Sequence, residues 1–198
     1  MASRAVYKGG RIIVNMCWEK VKSFLLHPNE AFRKEAKSSL GKAYKYVLIL
    51  TVVYSLLTAL IASVTNFSPL SFIIAIVTNY VLIAVLVPVF ALWVHLWAYL
   101  LGARKGVEQT MKAMFYAETP FLLLAWIPIV GIVIIIWNVL LEVIGLQKLQ
   151  GMSLGRAVLA VFLPLIILAA VIGIVFIYSV IYPIGFGGDF STIGNFPS

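Results

Sequence analysis

Polar and apolar positions in this chain separate into long blocks rather than alternating. Apolar blocks run from Tyr46 to about Val64, from about Ser71 to Leu101, from Ala113 to Leu146, and from Ala157 to about Tyr182, with short polar or basic stretches between them. A bilayer crossing takes about 20 apolar residues in one helix, so the first and last blocks each suit one crossing. The second is longer than one helix needs, and a tilt or a kink at Pro88 absorbs the excess. The third is much too long for one helix and is interrupted by Trp126, Ile127 and Pro128. A proline cannot extend a helix begun upstream without losing a hydrogen bond, and it pushes the preceding residue out of the helical region, so the chain turns there. The third block therefore reads as a tight transmembrane hairpin. The pattern predicts an all-α fold, an integral membrane bundle of five transmembrane helices over residues 46–183.

Ahead of the bundle the period changes. Ile13, Met16, Cys17, Val21, Phe24 and Leu25 recur at helical spacing, while Arg11, Glu19, Lys20 and Lys22 fall mostly on other faces. This predicts a short basic amphipathic helix, either lying on the membrane surface with Trp18 among the headgroups or packed against the protein's own bundle. His27 and Pro28 end it, and a second short charged helix is expected from Asn29 to Ser38. Residues 1–45 form a basic cytoplasmic segment, 46–183 the membrane domain, and 184–198 a short external tail carrying several glycines.

Charge then orients the bundle. Of the fifteen Lys and Arg residues, ten lie in the first 45 residues, three between Gly102 and Lys112, and two between Gln147 and Arg156. The loops near Asn66 and Ile127 and the tail after Pro183 hold none. Basic loops alternate with uncharged ones, as the positive-inside rule requires of five crossings with a cytoplasmic amino terminus and an external carboxyl terminus. A single crossing over residues 113–146 would place Lys148 and Arg156 outside and break that alternation.

Composition agrees: 63% of the 198 residues are hydrophobic and 11% charged, against roughly 25% charged in soluble domains. The net charge of +8 flanks apolar spans instead of forming a stripe on a soluble fold, which favours anionic lipid over nucleic acid as the counterpart. Arg11, Lys20, Lys22, Arg33, Lys34, Lys148 and Arg156 are the candidate contacts to headgroups or to a partner. The single cysteine, Cys17, allows no intramolecular disulfide or multi-cysteine metal site, and the amino terminus lacks the compact apolar core and cleavage site of a signal peptide.

Catalytic machinery is tested by inventory. A membrane aspartyl protease needs two aspartates, and Asp189 is the only one. His27 and His95 are far apart and no His-Glu-x-x-His occurs, so a zinc hydrolase is not indicated. Ser153 has no evident base, and Gly151 and Gly155 lack the lysine and spacing of a phosphate-binding loop. The chain is expected to be no enzyme and to need no cofactor or metal. Three ionisable groups lie within apolar spans: His95, Glu118 and Glu142. Charge at mid-bilayer costs about 2.5 kcal/mol or more on insertion scales, so such groups either serve a function or pin neighbouring helices through hydrogen bonds. Counting at 1.5 Å per residue from Lys112, Lys148 and Arg104 sets the glutamates about 9 Å and the histidine about 14 Å inside the basic boundary, which predicts one polar site shared by all three.

Specific residues also carry a family resemblance. Phe115-Tyr116-Ala117 with Pro120, the Ile127-Pro128-Ile129 turn, the Trp137 helix ending in Gly145-Leu146, the loop Gly151-Met152-Ser153, and Arg156-Ala157 opening the last helix resemble the Yip (Ypt/Rab-interacting protein) domain family. His27-Pro28-Asn29-Glu30-Ala31-Phe32 looks like the lead-in of its short prokaryotic members, so the likeness covers roughly residues 24–182. The chain departs from the family in lacking the acidic Asp-Leu-Tyr-Gly-Pro type of motif of eukaryotic members, and in carrying Gln150 where many relatives have histidine. The resemblance implies a non-catalytic membrane adaptor or organiser in a prokaryotic plasma membrane, with anionic headgroups and a membrane-protein or small-GTPase-like partner as its contacts, and with oligomers possible. The alternative is a small transporter or lipid-handling protein that uses the intramembrane His and Glu groups.

Overall fold

A computed structural model describes residues 18–64 and 68–186, and the described residues hold helices and no strand. Residues 18–26 are helical (α1). They are followed by α2 (Pro28–Glu35), α3 (Leu40–Ala62), α4 (Pro69–Leu100), α5 (Val107–Ala117), α6 (Thr119–Leu124), α7 (Pro128–Gln150) and α8 (Leu154–Phe186). Arg11, Ile13, Met16 and Cys17 lie outside the described residues, as does the tail from residue 187. The boundary expected at residue 45 falls inside α3, which begins at Leu40.

Among the described residues, four helices are long and apolar enough to cross a membrane: α3, α4, α7, and α8 as far as Ser179. Their outer faces are bare of protein, with Ile73 58% and Ile136 63% exposed. A large apolar side chain left in water forgoes about 1.5–3 kcal/mol, and dozens of them are tolerable only where lipid is the solvent. The chain is a multi-pass membrane protein.

The expected third crossing is not one continuous helix, because the chain breaks at Glu118 into α5 and α6. Pro120 is the cause: it has no N–H for the carbonyl four residues back, which belongs to Tyr116. The Thr119 hydroxyl donates to that carbonyl instead, at 2.6 Å. Pro88 raises the same problem inside α4 and is solved from outside. The carbonyl it leaves free is that of Ala84, which accepts the Tyr44 hydroxyl of α3 at 2.8 Å. The turn foreseen at Trp126–Pro128 is present, with Ile127 extended (φ −88°, ψ 114°) before Pro128 opens α7. Gly131 makes the turn possible, since a Cβ there would lie 2.8 Å from the Ala125 carbonyl oxygen. α7 runs past Gly145 and Leu146 to Gln150, where Gly151 in the left-handed region (φ 73°) stops it.

Two compact units divide the chain. In the unit ending at Val161, the buried side chains concentrate at one end of the bundle: Val21 and Phe24 of α1, Ala31 and Phe32 of α2, Tyr46 and Val47 of α3, Ala113–Ala117 of α5, and Leu141, Leu146 and Leu149 of α7. α1 thus packs its apolar face on the protein's own core, and Tyr46, at the start of the first apolar block, is buried. The second unit begins at Phe162 and continues α8 to Phe186 with exposed Ile166, Ile174 and Phe176.

The Tyr44–Ala84 bond is testable by a double-mutant cycle. Tyr44→Phe should cost about 0.6–1.5 kcal/mol of stability in detergent-solubilised protein, as for one interhelical hydrogen bond. In a Pro88→Ala background, where residue 88 recovers an N–H for Ala84, the same substitution should cost almost nothing by thermal unfolding.

Candidate functional site

The basic end of the bundle is organised by Tyr116 of α5. Its ring stacks on Phe24 of α1 (centroids 4.8 Å apart, planes at 14°) and packs on Tyr46 of α3 at 5.6 Å. Its hydroxyl donates to Glu35 Oε2 at 2.7 Å and lies 3.0 Å from the Ser38 hydroxyl. Glu35 also pairs with Lys20 Nζ at 2.9 Å, and that ammonium stands 5.2 Å from the Tyr116 ring centroid and 5.6 Å from that of Tyr46. Phe32 of α2 meets Phe24 edge-on at 5.0 Å and fits against Gly145, where a Cβ would approach its ring to 3.1 Å. Burial pushes the Glu35 carboxyl up, but the bonds from Lys20, Tyr116 and Ser38 and the Lys20 charge outweigh it and hold the group below its ordinary value.

One turn away, Lys112 and Glu108 clasp the α2–α3 corner. Lys112, expected at the aqueous boundary, is 2% exposed, and its ammonium donates to the Ala36 and Ser38 carbonyls at 2.9 Å each. Glu108 accepts the Leu40 N–H that opens α3, at 3.2 Å, and lies 4.0 Å from Lys112. The cation at the end of α2 and the anion at the start of α3 both have the sign that the helix dipoles favour.

Two buried polar links then join α5 to α7, which pack antiparallel. Gln150 Nε2 donates to Thr110 Oγ1 at 2.9 Å and to the Gly106 carbonyl at 2.6 Å, while its Oε1 accepts the Lys105 N–H at 3.0 Å. Thr110 in turn lies 2.9 Å from His95 Nδ1 of α4. Eight residues beyond Thr110 stands Glu118, and eight back along α7 from Gln150 stands Glu142; Asn138 Nδ2 donates to Glu142 Oε1 at 3.1 Å, and Glu118 lies within electrostatic reach of both. The structure brings Glu118 and Glu142 together and sets His95 in the other link, about 12 Å of helix rise away. The depth count from Arg104 misplaces the histidine because Arg104 is not helical. α4 ends at Leu100, and the Arg104 guanidinium folds back to donate to the Tyr99 carbonyl at 2.8 Å. His95 is thus only five residues from its helix end.

The basic residues divide by role. Lys20 is held by Glu35, and Lys22 pairs with Glu19 at 3.1 Å and covers Trp18 at 5.5 Å. Arg33 and Lys34 are exposed in the last turn of α2, Lys148 is half-buried in α7, and Arg156 is exposed in α8. An open cleft of about 900 Å³ lies beside α1 and α2, with Phe24 and Ala31 in its wall and Lys20, Lys34, Lys37 and Lys42 around it.

The family model for the Yip1 domain matches residues 22–187. The chain belongs to the Yip1 domain family. No curated protein and no solved structure matches it. The Yip1 match takes in α2 through α8 and begins within α1, so the junction around Tyr116 and both polar links belong to the domain. The resemblance had pointed to Tyr116 and Gln150 without roles: Tyr116 is the middle residue of the Phe-Tyr-Ala triplet, and Gln150 stands where many relatives have histidine. Lys112 and Glu108 gave no sequence signal beyond one-turn spacing.

Because Glu35 is held below its ordinary value, the cap contact is complete above the carboxylate range and is lost as pH falls through the lowered value. Acid should loosen α1, read as Trp18 fluorescence or protease access near residue 27. Glu35→Gln should loosen it at neutral pH and flatten the acid response.

Proposed function

We propose that this Yip1-family protein is a non-catalytic membrane organiser whose α1–α2 cap is a docking face for anionic lipid headgroups. The observation that carries the reading is the open cleft beside α1 and α2, where Lys34, Lys37 and Lys42 stand exposed while the carboxylates of its lining, Glu19 and Glu35, are paired with Lys22 and Lys20. An exposed ammonium cluster suits a phosphate headgroup, and the anchoring of the cap by Glu35, Tyr116 and Lys112 holds those cations in place without the ordering cost of a loose tail.

The reading includes five crossings, with the cap in the cytoplasm and the tail outside, in a prokaryotic plasma membrane. One feature supports that topology: the cations alternate among the loops, with none near Asn66 or Ile127 or after Pro183. A reporter fused after Ser198 should then lie outside the cytoplasm, and finding it inside would mean an even number of crossings.

Docking is tested with the full chain in neutral-lipid proteoliposomes. They should capture vesicles containing phosphatidylglycerol in a salt-sensitive way. Neutralising Lys34, Lys37 and Lys42 to glutamine should weaken capture on the order of 100-fold, at about 1 kcal/mol per cation near an anionic surface. Equal capture of purely neutral vesicles would defeat the proposal, and a partner protein pulled down through the cap in place of lipid would redirect it.

A further inference from the structure

With its two carboxyls ionised, the Glu118–Asn138–Glu142 cluster is short of positive charge: carboxylates only accept hydrogen bonds, and the one donor group among the three side chains is the Asn138 amide, engaged with Glu142. Two atoms are left buried without a partner, Glu142 Oε2 and Asn138 Oδ1, on residues only 4% and 7% exposed. Both are acceptors, so what the cluster calls for is a donor or a cation. Lys112, six residues before Glu118, is committed to Ala36 and Ser38. The flanking side chains Ala117, Leu122, Leu141 and Val143 are buried and apolar, which leaves two adjacent carboxylates expensive to keep uncompensated.

The donor set decides the class of cation. Each atom offered is an oxygen, from two carboxylates and one amide, with no imidazole or thiolate, and such a set suits alkali and alkaline-earth ions over zinc or copper. Asn138 serves both conditions: turned by 180° its amide exchanges Nδ2 for Oδ1 in the same volume and presents a carbonyl to a bound ion. Glu118 stands at the α5–α6 break, where the chain can adjust around an ion more easily than in mid-helix.

We propose that Glu118, Asn138 and Glu142 form an intramembrane site for a hard, oxygen-ligated cation, with the proton as its competitor. The inference does not depend on lipid docking by the cap. It is tested on the full chain in neutral-lipid nanodiscs, with radiolabelled Na⁺ in one arm and radiolabelled Ca²⁺ in the other, against choline chloride at matched ionic strength. One of the two ions should bind saturably, a single ion per chain, and raise the thermal midpoint of unfolding. Its apparent affinity should fall about tenfold per pH unit on acidification where one proton competes. Glu142→Gln and Glu118→Gln should each weaken binding at least tenfold, whereas His95→Gln, in the other polar link, should leave it unchanged. Asn138→Asp keeps the shape and adds a charge, and should shift preference toward Ca²⁺ even if a glutamine variant folds poorly. The proposal is overturned if folded parent protein retains neither ion above the choline background, if its pH response is insensitive to both ions, or if the two glutamine variants bind as the parent does.

Discussion

The hydrogen bond from the Tyr116 hydroxyl to Glu35 is the contact on which the basic end of this molecule depends. At 2.7 Å it ties α5 to α2, and the same tyrosine ring carries α1 through Phe24. Lys20 closes the arrangement by neutralising Glu35 and covering two aromatic faces at once. Each member is tolerable in a partly buried place only because of the others: the carboxylate has donors, the phenol has an acceptor, and the ammonium has both a counter-charge and aromatic faces. A surface ion pair between lysine and glutamate contributes little alone, and here the aromatic stack supplies the burial that makes it directional.

A second constraint runs through the apolar part of the bundle. Lipid offers no hydrogen bonds, so any carbonyl freed by a proline must find a donor within the protein. Pro120 and Pro88 meet that requirement differently. The first is answered locally by Thr119 and leaves a break at Glu118; the second is answered by Tyr44 from the neighbouring helix and leaves α4 continuous. The break matters for chemistry because it falls on the residue that carries one of the two carboxylates of the second polar link. Gly131 and Gly145 set the spacing of the same hairpin, one letting the turn close on Ala125 and the other admitting the Phe32 ring against α7.

The polar residues buried between α5 and α7 follow from an antiparallel register. Thr110 opposite Gln150 and Glu118 opposite Glu142 are two readings of one alignment, two turns apart. The first link is saturated, with each polar atom of Gln150 engaged in hydrogen bonding. The second leaves two oxygens unmatched. That contrast within a single helix pair separates a structural lock from a place able to accept a ligand.

Block-wise hydropathy by itself determined the membrane class, the helical fold, the turn at Pro128 and the approximate extents of α3, α4, α7 and α8, because each rests on local facts: run length against bilayer thickness, and the missing N–H of proline. Tyr116, Phe115 and Gln150 were also legible as positions of family likeness, though not as contacts. What only the tertiary structure decided depends on register between helices. Whether α1 lies on lipid or on the bundle turned on Phe24 meeting Tyr116, which no periodicity within α1 encodes. Lys112 reads as a boundary charge in sequence and is in fact a buried donor, because the end of α2 folds over it. The three ionisable groups expected within the membrane parted into a pair and a single residue for the same reason: depth counted along one helix says nothing of the neighbouring helix, and Arg104, bent back onto the end of α4, made the count for His95 too deep.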